Sequence, residues 1–144
     1  MPNSNDTMKT LYDEIEAIAA RQGVRAESGY AADLNGMKRT YPMLLWIPPD
    51  PLKFEGRTVP LRITYRCRFY LLEKDDGKAS SAERERRWAE MELTAYAAVL
   101  ALGETEAVEA VGEVSGERDR HLLTLDGELS VKMEFTCRYI VCDD

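Results

Sequence analysis

LRITYRCRFYLL, residues 61–72, decides the fold. Leu61, Ile63, Tyr65, Cys67, Phe69 and Leu71 alternate with Arg62, Thr64, Arg66, Arg68 and Tyr70. A period of two belongs to a strand, because successive side chains leave a pleated backbone on opposite sides. One face is therefore expected to enter a core and the other to meet water.

The same code returns near the C-terminus, where Leu129, Val131, Met133, Phe135, Cys137, Tyr139 and Val141 alternate with Ser130, Lys132, Glu134, Thr136 and Arg138. Asp126-Gly127 precedes this run, and Asp-Gly is a favoured tight-turn pair. Residues 121–142 thus read as a hairpin, His121–Leu125 returning through Glu128–Cys142. Met43-Leu44-Leu45-Trp46-Ile47 is an apolar run of strand length closed by Pro48-Pro49 and Pro51, so Asp50 to Val59 reads as an exposed loop. A short strand is expected over Val24–Ser28, followed by a connection with one helical turn. The acidic residues 104–120 fit neither period, and a strand bulged at Gly112 is one solution.

Two segments carry the helical period. Met8, Leu11, Ile15, Ile18 and Ala19 are spaced by threes and fours across residues 6–22, with Asp6 or Thr7 able to cap the start and Gly23 the end. Ser80 and Glu83 form a capping-box signature for a second helix. Its apolar stripe is Trp88, Met91, Ala95, Tyr96, Val99 and Leu102, its end is Gly103, and Glu83 and Arg87 are spaced for an i,i+4 ion pair. The expected fold is α+β: an antiparallel or mixed sheet of four to five strands packed against two main helices, in one domain spanning residues 1–144.

Composition narrows the function. With 26 acidic residues against 19 lysines and arginines, the net charge is -7, which argues against a nucleic-acid partner because affinity for phosphate backbones comes from clustered cations. No apolar run approaches the roughly 20 residues needed to span a bilayer, and residues 1–10 lack the apolar core of a signal peptide. Cytoplasmic residence without membrane attachment is expected. Three cysteines, Cys67, Cys137 and Cys142, without a secretory signal point to reduced thiols.

Catalytic chemistry finds little support. His121 is the one histidine, too few for a multi-histidine metal site, and the cysteines lack the paired CxxC spacing of structural zinc. No elbow motif surrounds His121, and no glycine-rich phosphate loop lies between a strand and a helix. Asp75-Asp76 and Asp143-Asp144 stand in a turn and at the terminus, where solvated carboxylates are the ordinary reading. The expectation is a protein that is not an enzyme, with no cofactor, metal or catalytic residue.

What remains is surface. Arg62, Arg66 and Arg68 on one strand, with Lys132, Glu134 and Arg138 on another, form a sheet face rich in cations. Either it is solvated, with cross-strand Arg–Glu pairs, or it meets acidic surface such as Glu104, Glu106, Glu109 and Glu113 of a neighbouring copy, in head-to-tail contacts that close a ring. Trp46 and Phe54, with Leu52, form a second candidate contact patch.

In its order of elements the chain resembles small phage and prophage tail proteins, nearest to the tail-terminator or tail-completion type. The resemblance rests on the N-terminal amphipathic helix, YPMLLWIPP (41–49), LRITYRCRFYLLEKDD (61–76), a helix with Trp88 near its start, and GELSVKMEFTCRYIVCDD (127–144). It implies a non-enzymatic subunit that assembles with itself into a ring, commonly a hexamer, at the head-proximal end of a tail tube. There it would stop polymerisation and face other tail or head-connector proteins, as a virion component. The competing expectation is a small intracellular binding module that takes a ligand or peptide between sheet and helix.

Overall fold

In a computed structural model of the chain, residues 9–56, 60–75, 77–119 and 127–141 are described. The element order is α1 (Leu11–Arg21), β1 (Arg25–Ser28), a 3-10 turn (Ala31–Gly36), β2 (Met43–Glu55), β3 (Leu61–Lys74), α2 (Ser81–Gly103), β4 (Val108–Asp119) and β5 (Glu128–Val141). The five strands form one mixed sheet in the order β1-β2-β3-β5-β4. Only the β1–β2 pair is parallel. A parallel pair needs a crossover, and the segment carrying the 3-10 turn supplies it. The fold is thus α+β, with two main helices.

β3 and β5 pair in unbroken register from Leu61↔Val141 to Lys74↔Glu128. Both alternations therefore stay in phase, and Cys67, Phe69, Leu71, Val131, Met133, Phe135 and Cys137 enter one core with the apolar faces of α1 and α2. Trp46, Phe69 and Phe135 stand at its centre, with ring centroids 6.2 to 6.4 Å apart.

The opposite face is wet along only part of its length. Tyr70 and Leu72 continue the row of Arg62, Arg66 and Arg68, yet they are buried with Leu34, Met43 and Leu45 in a second cluster. The crossover folds back over this end of the sheet, and Leu34 of the 3-10 turn is its plug. No periodicity in residues 29–41 announces that cover.

Local chemistry moves several boundaries. Thr10 caps α1: its Oγ1 accepts from the Asp13 amide and the Asp13 carboxylate accepts from the Thr10 amide, a reciprocal box. The helix thus starts later than residue 6, and the expected caps Asp6 and Thr7 lie outside the described residues. Gly23 does adopt the left-handed conformation, with φ +73°. Ser80 caps α2 by accepting from the Glu83 amide at 3.1 Å. Arg87, expected to pair with Glu83, instead donates to Glu73 on β3 at 2.9 Å, because that carboxylate lies under the helix.

The largest correction concerns residues 50–55. They are not a loop: β2 runs through Pro48, Pro49 and Pro51 to Glu55, with register shifts at Ile47/Asp50 and Pro51/Lys53. Each shift inserts one residue, and the second restores the facing that the first reversed. β1 covers only Met43–Trp46, so the rest of β2 is an edge, where proline's missing N–H costs no ladder bond. β4 is the other edge and is bulged at Val108/Ala110 and Gly112/Ser115. The bulge falls where Gly112 suggested one, but the residue with positive φ is Glu113, at 52°. The expected strand His121–Leu125 and the turn residue Asp126 lie outside the described residues.

Candidate functional site

The predicted face exists as a surface, and its charge is compensated. Arg62 Nε donates to Glu109 Oε2 at 2.7 Å, and Arg138 reaches Glu55 at 3.1 Å and the same Glu109 oxygen at 3.7 Å. Arg66 lies 3.8 Å from Glu134, and Arg68 is bound to Asp50. Lys132 sits over the Tyr70 ring, 5.9 Å from its centroid. Four carboxylates are thus interleaved with the five cations, and the row is a cross-strand lattice of ion pairs. Of the acids expected to face it from a neighbour, Glu109 is already occupied within the subunit. An interface driven by one uniformly basic face does not fit this arrangement.

Trp46 and Phe54, grouped by sequence as one contact patch, separate completely. Trp46 is 1% exposed in the core and offers no contact surface. Its burial follows from its register partner Phe69, which places the indole on the helix-covered face. Phe54 is 63% exposed, near Leu52 on the free arm of β2.

A second apolar surface lies on α2. Leu93, Tyr96 and Leu100 are 73%, 47% and 52% exposed along the outer side of α2. The helical period of the sequence predicts Tyr96 in the buried stripe of this helix. The buried set is instead Met91, Ala95, Ala98, Val99 and Leu102, and Tyr96 points away from it. The signal was present: 93, 96, 97 and 100 repeat at the spacing of a helical face, with Leu, Tyr, Ala and Leu at those positions.

Between the N-terminal end of α1 and the sheet lies a cavity of about 340 Å³, walled by Leu11, Tyr12, Trp46, Ile63, Tyr65 and Tyr139 among others. The Tyr139 hydroxyl donates to the Lys9 carbonyl at 2.8 Å, and the Tyr12 hydroxyl lies 3.0 Å from Glu16 Oε2 and 3.1 Å from the Ala26 carbonyl. The contacts to Ala26 of β1 and from Tyr139 of β5 to Lys9 fasten the start of α1 over the sheet. Burial, reinforced by Glu16, pushes the Tyr12 phenol up to about 12. Burial also raises the Tyr65 and Tyr139 phenols. All three remain neutral at physiological pH, so the wall is apolar with phenol hydroxyls.

Two of the three thiols lie in the main core, and Cys142 lies outside the described residues. Cys67 and Cys137 are buried and unbridged. A hydrogen bond to Cys137, with burial, raises the Cys67 thiol far from its nucleophilic form. Among the described residues no group of three or more His, Cys, Asp or Glu could hold a metal ion, and no helix is long and apolar enough to cross a membrane. Asp75 is bound to Arg84 at 3.0 Å, and His121 lies outside the described residues. No protein-family model matches the chain, and no curated protein matches it.

Proposed function

We propose that the chain is a structural subunit of the phage tail-terminator or tail-completion type, acting without a catalytic step by assembling with copies of itself into a ring. It would work in the cytoplasm or as part of a virion, against other tail or head-connector proteins. The observation that carries the reading is the position of the exposed apolar side chains. Leu52 and Phe54 lie on the free edge of β2, while Leu93, Tyr96 and Leu100 lie on α2, which packs over β4 and β5 at the opposite flank. Two unlike patches on opposite flanks are what a heterologous, head-to-tail assembly requires, and rotation about an axis then closes it.

Light scattering on size-separated protein tests this. A discrete species of several subunits is expected, and a strict monomer at high concentration would sink the reading.

A second reading has its own observation. The cavity beside Tyr12, Tyr65 and Tyr139 has the volume of a small-ligand site and combines apolar walls with a few hydroxyls, as a binding module would need. Amide chemical-shift mapping with a set of small aromatic fragments distinguishes the two readings. Shifts confined to Leu11, Tyr12, Ile63 and Tyr65 favour binding, and none disfavours it.

A further inference from the structure

We infer that the outer stripe of α2 is the docking surface for the β2 arm of a second copy, Leu52 and Phe54 of one subunit packing on Leu93, Tyr96 and Leu100 of the next. The inference rests on the self-assembly reading and gives it a specific joint.

Three observations argue for this occupant. First, the arm cannot recruit a neighbour by strand addition. Beyond Trp46 no described strand pairs with its outer edge, but Pro48, Pro49 and Pro51 interrupt the row of N–H donors that an added strand would need. Contact must then run through side chains, and the large apolar ones exposed there are Leu52 and Phe54.

Second, the two surfaces differ in shape. The arm presents an edge bearing one aromatic ring. On α2 the small side chain of Ala97 lies between the larger Leu93 and Leu100 along the same exposed face, so a ring can come closer to the helix there than at its neighbours.

Third, the charges are complementary. The last turn of α2 contains no basic residue, and its cap is Glu104, exposed like nearby Glu106. A helix C-terminus already carries partial negative charge, so this end of the stripe calls for a cation. Lys53, between Leu52 and Phe54, has a 67% exposed side chain and, among the described residues, a 3.9 Å contact to Glu55. Its long stem lets the ammonium reach a rim carboxylate while its neighbours pack.

Complementation tests the joint. Phe54→Asp removes the arm and leaves the stripe, while Leu93→Asp removes the stripe and leaves the arm. Both positions are exposed, so both variants should keep the wild-type circular dichroism, and Leu100→Asp is a second stripe variant should Leu93→Asp fold poorly. Each variant alone is expected to be monomeric where the wild type is a ring. An equimolar mixture is expected to form a species of two chains and no larger, because one intact arm and one intact stripe remain. If the wild type forms a ring and both variants still do, the joint is wrong while self-assembly stands. If only the stripe variants dissociate it, α2 pairs with something other than the arm, and the proposal falls. A mixture that stays monomeric also overturns it, and a monomeric wild type removes the assembly reading with it.

Discussion

Arg62 and Glu109 meet at 2.7 Å although 47 residues and a whole strand separate them. Arg62 is on β3 and Glu109 on β4, with β5 running between, and Arg138 of β5 closes the group from below. One carboxylate thus ties three strands together on a solvated face. Exposed pairs of this kind contribute about 0.2 to 1 kcal/mol, and salt screens them. Glu109→Gln is expected to lower unfolding stability by no more than about 1 kcal/mol, with the loss shrinking as salt rises. Urea titrations at low and high ionic strength measure it, and a loss independent of salt would mean that the residue acts through packing.

The centre of the main core should respond on another scale. Phe135 contacts both Trp46 and Phe69, and all three rings are buried. Truncating a buried phenylalanine removes its transfer free energy and leaves a cavity, together about 3 to 5 kcal/mol. Phe135→Ala is expected to fall in that range by chemical denaturation. Phe54→Ala, on the exposed arm, should leave the stability of the isolated subunit within about 0.5 kcal/mol of the wild type.

These two sites show which parts of the fold were legible. The strands β3 and β5 were readable because their period is local: each residue from Leu61 to Leu71 reports its own facing. The five face cations were readable for the same reason. Cross-strand pairing with Glu134 was readable too, and Arg66 lies 3.8 Å from it, but Asp50 and Glu109 were not, since they reach the row through tertiary placement that no local spacing encodes. The strand over Met43–Ile47, Trp46 included, was legible as an apolar run, but residues 50–55 were not, because Pro48, Pro49 and Pro51 suggest a loop where they mark the part of β2 that β1 does not cover. β4 was obscure because it is an edge with two bulges, so its facing changes part-way and no single period fits.

Glu113 is held at φ 52° inside the β4 bulge. In the left-handed region an L residue's Cβ crowds the following carbonyl, at a cost of roughly 1–2 kcal/mol, which asparagine's local hydrogen bonding partly relieves. Glu113 is exposed, so substitution removes little packing. Glu113→Asn is expected to raise stability by about 0.5 kcal/mol, measured as an increased urea midpoint with unchanged slope. A decrease would mean that the carboxylate has a role the bulge geometry does not reveal.

Arg118 of β4 is clasped by α2. Its guanidinium donates two bonds of 2.9 Å to Glu92, also binds Glu85, and stands 5.6 Å from the centroid of the Trp88 ring. Hydrogen bonding to Arg118 holds the Glu92 carboxyl below its ordinary value, against burial. A depressed folded-state pKa gives stability that is present above the ordinary carboxylate pKa and lost as pH falls through the depressed value. Arg118→Met should therefore return Glu92 to ordinary titration, followed through its side-chain carbon resonance. It should also move acid unfolding to higher pH and alter Trp88 fluorescence. Unchanged titration would show that the fork bonds are not what holds the carboxylate charged.

Tyr12 gives the opposite pH dependence at the alkaline end. Burial is the main cause that raises its phenol from 10.0 to about 12, with hydrogen bonding to Glu16 and the charges of Glu16 and Glu27 adding to it. The folded state prefers the neutral phenol more strongly than the unfolded chain does. The resulting stability is fully present below pH 10 and is lost as pH rises towards 12. Tyr12→Phe removes that titration along with the bonds to Glu16 and Ala26, so the variant should be less stable near neutrality and lose less between those two values. Urea midpoints measured across the alkaline range, with the difference in phenolate absorbance between the two proteins, check both halves. If the two midpoints fall in parallel, the alkaline loss belongs to Tyr65 or Tyr139, whose phenols are also raised by burial, and the hydroxyl that fastens α1 to β1 is not the group that titrates.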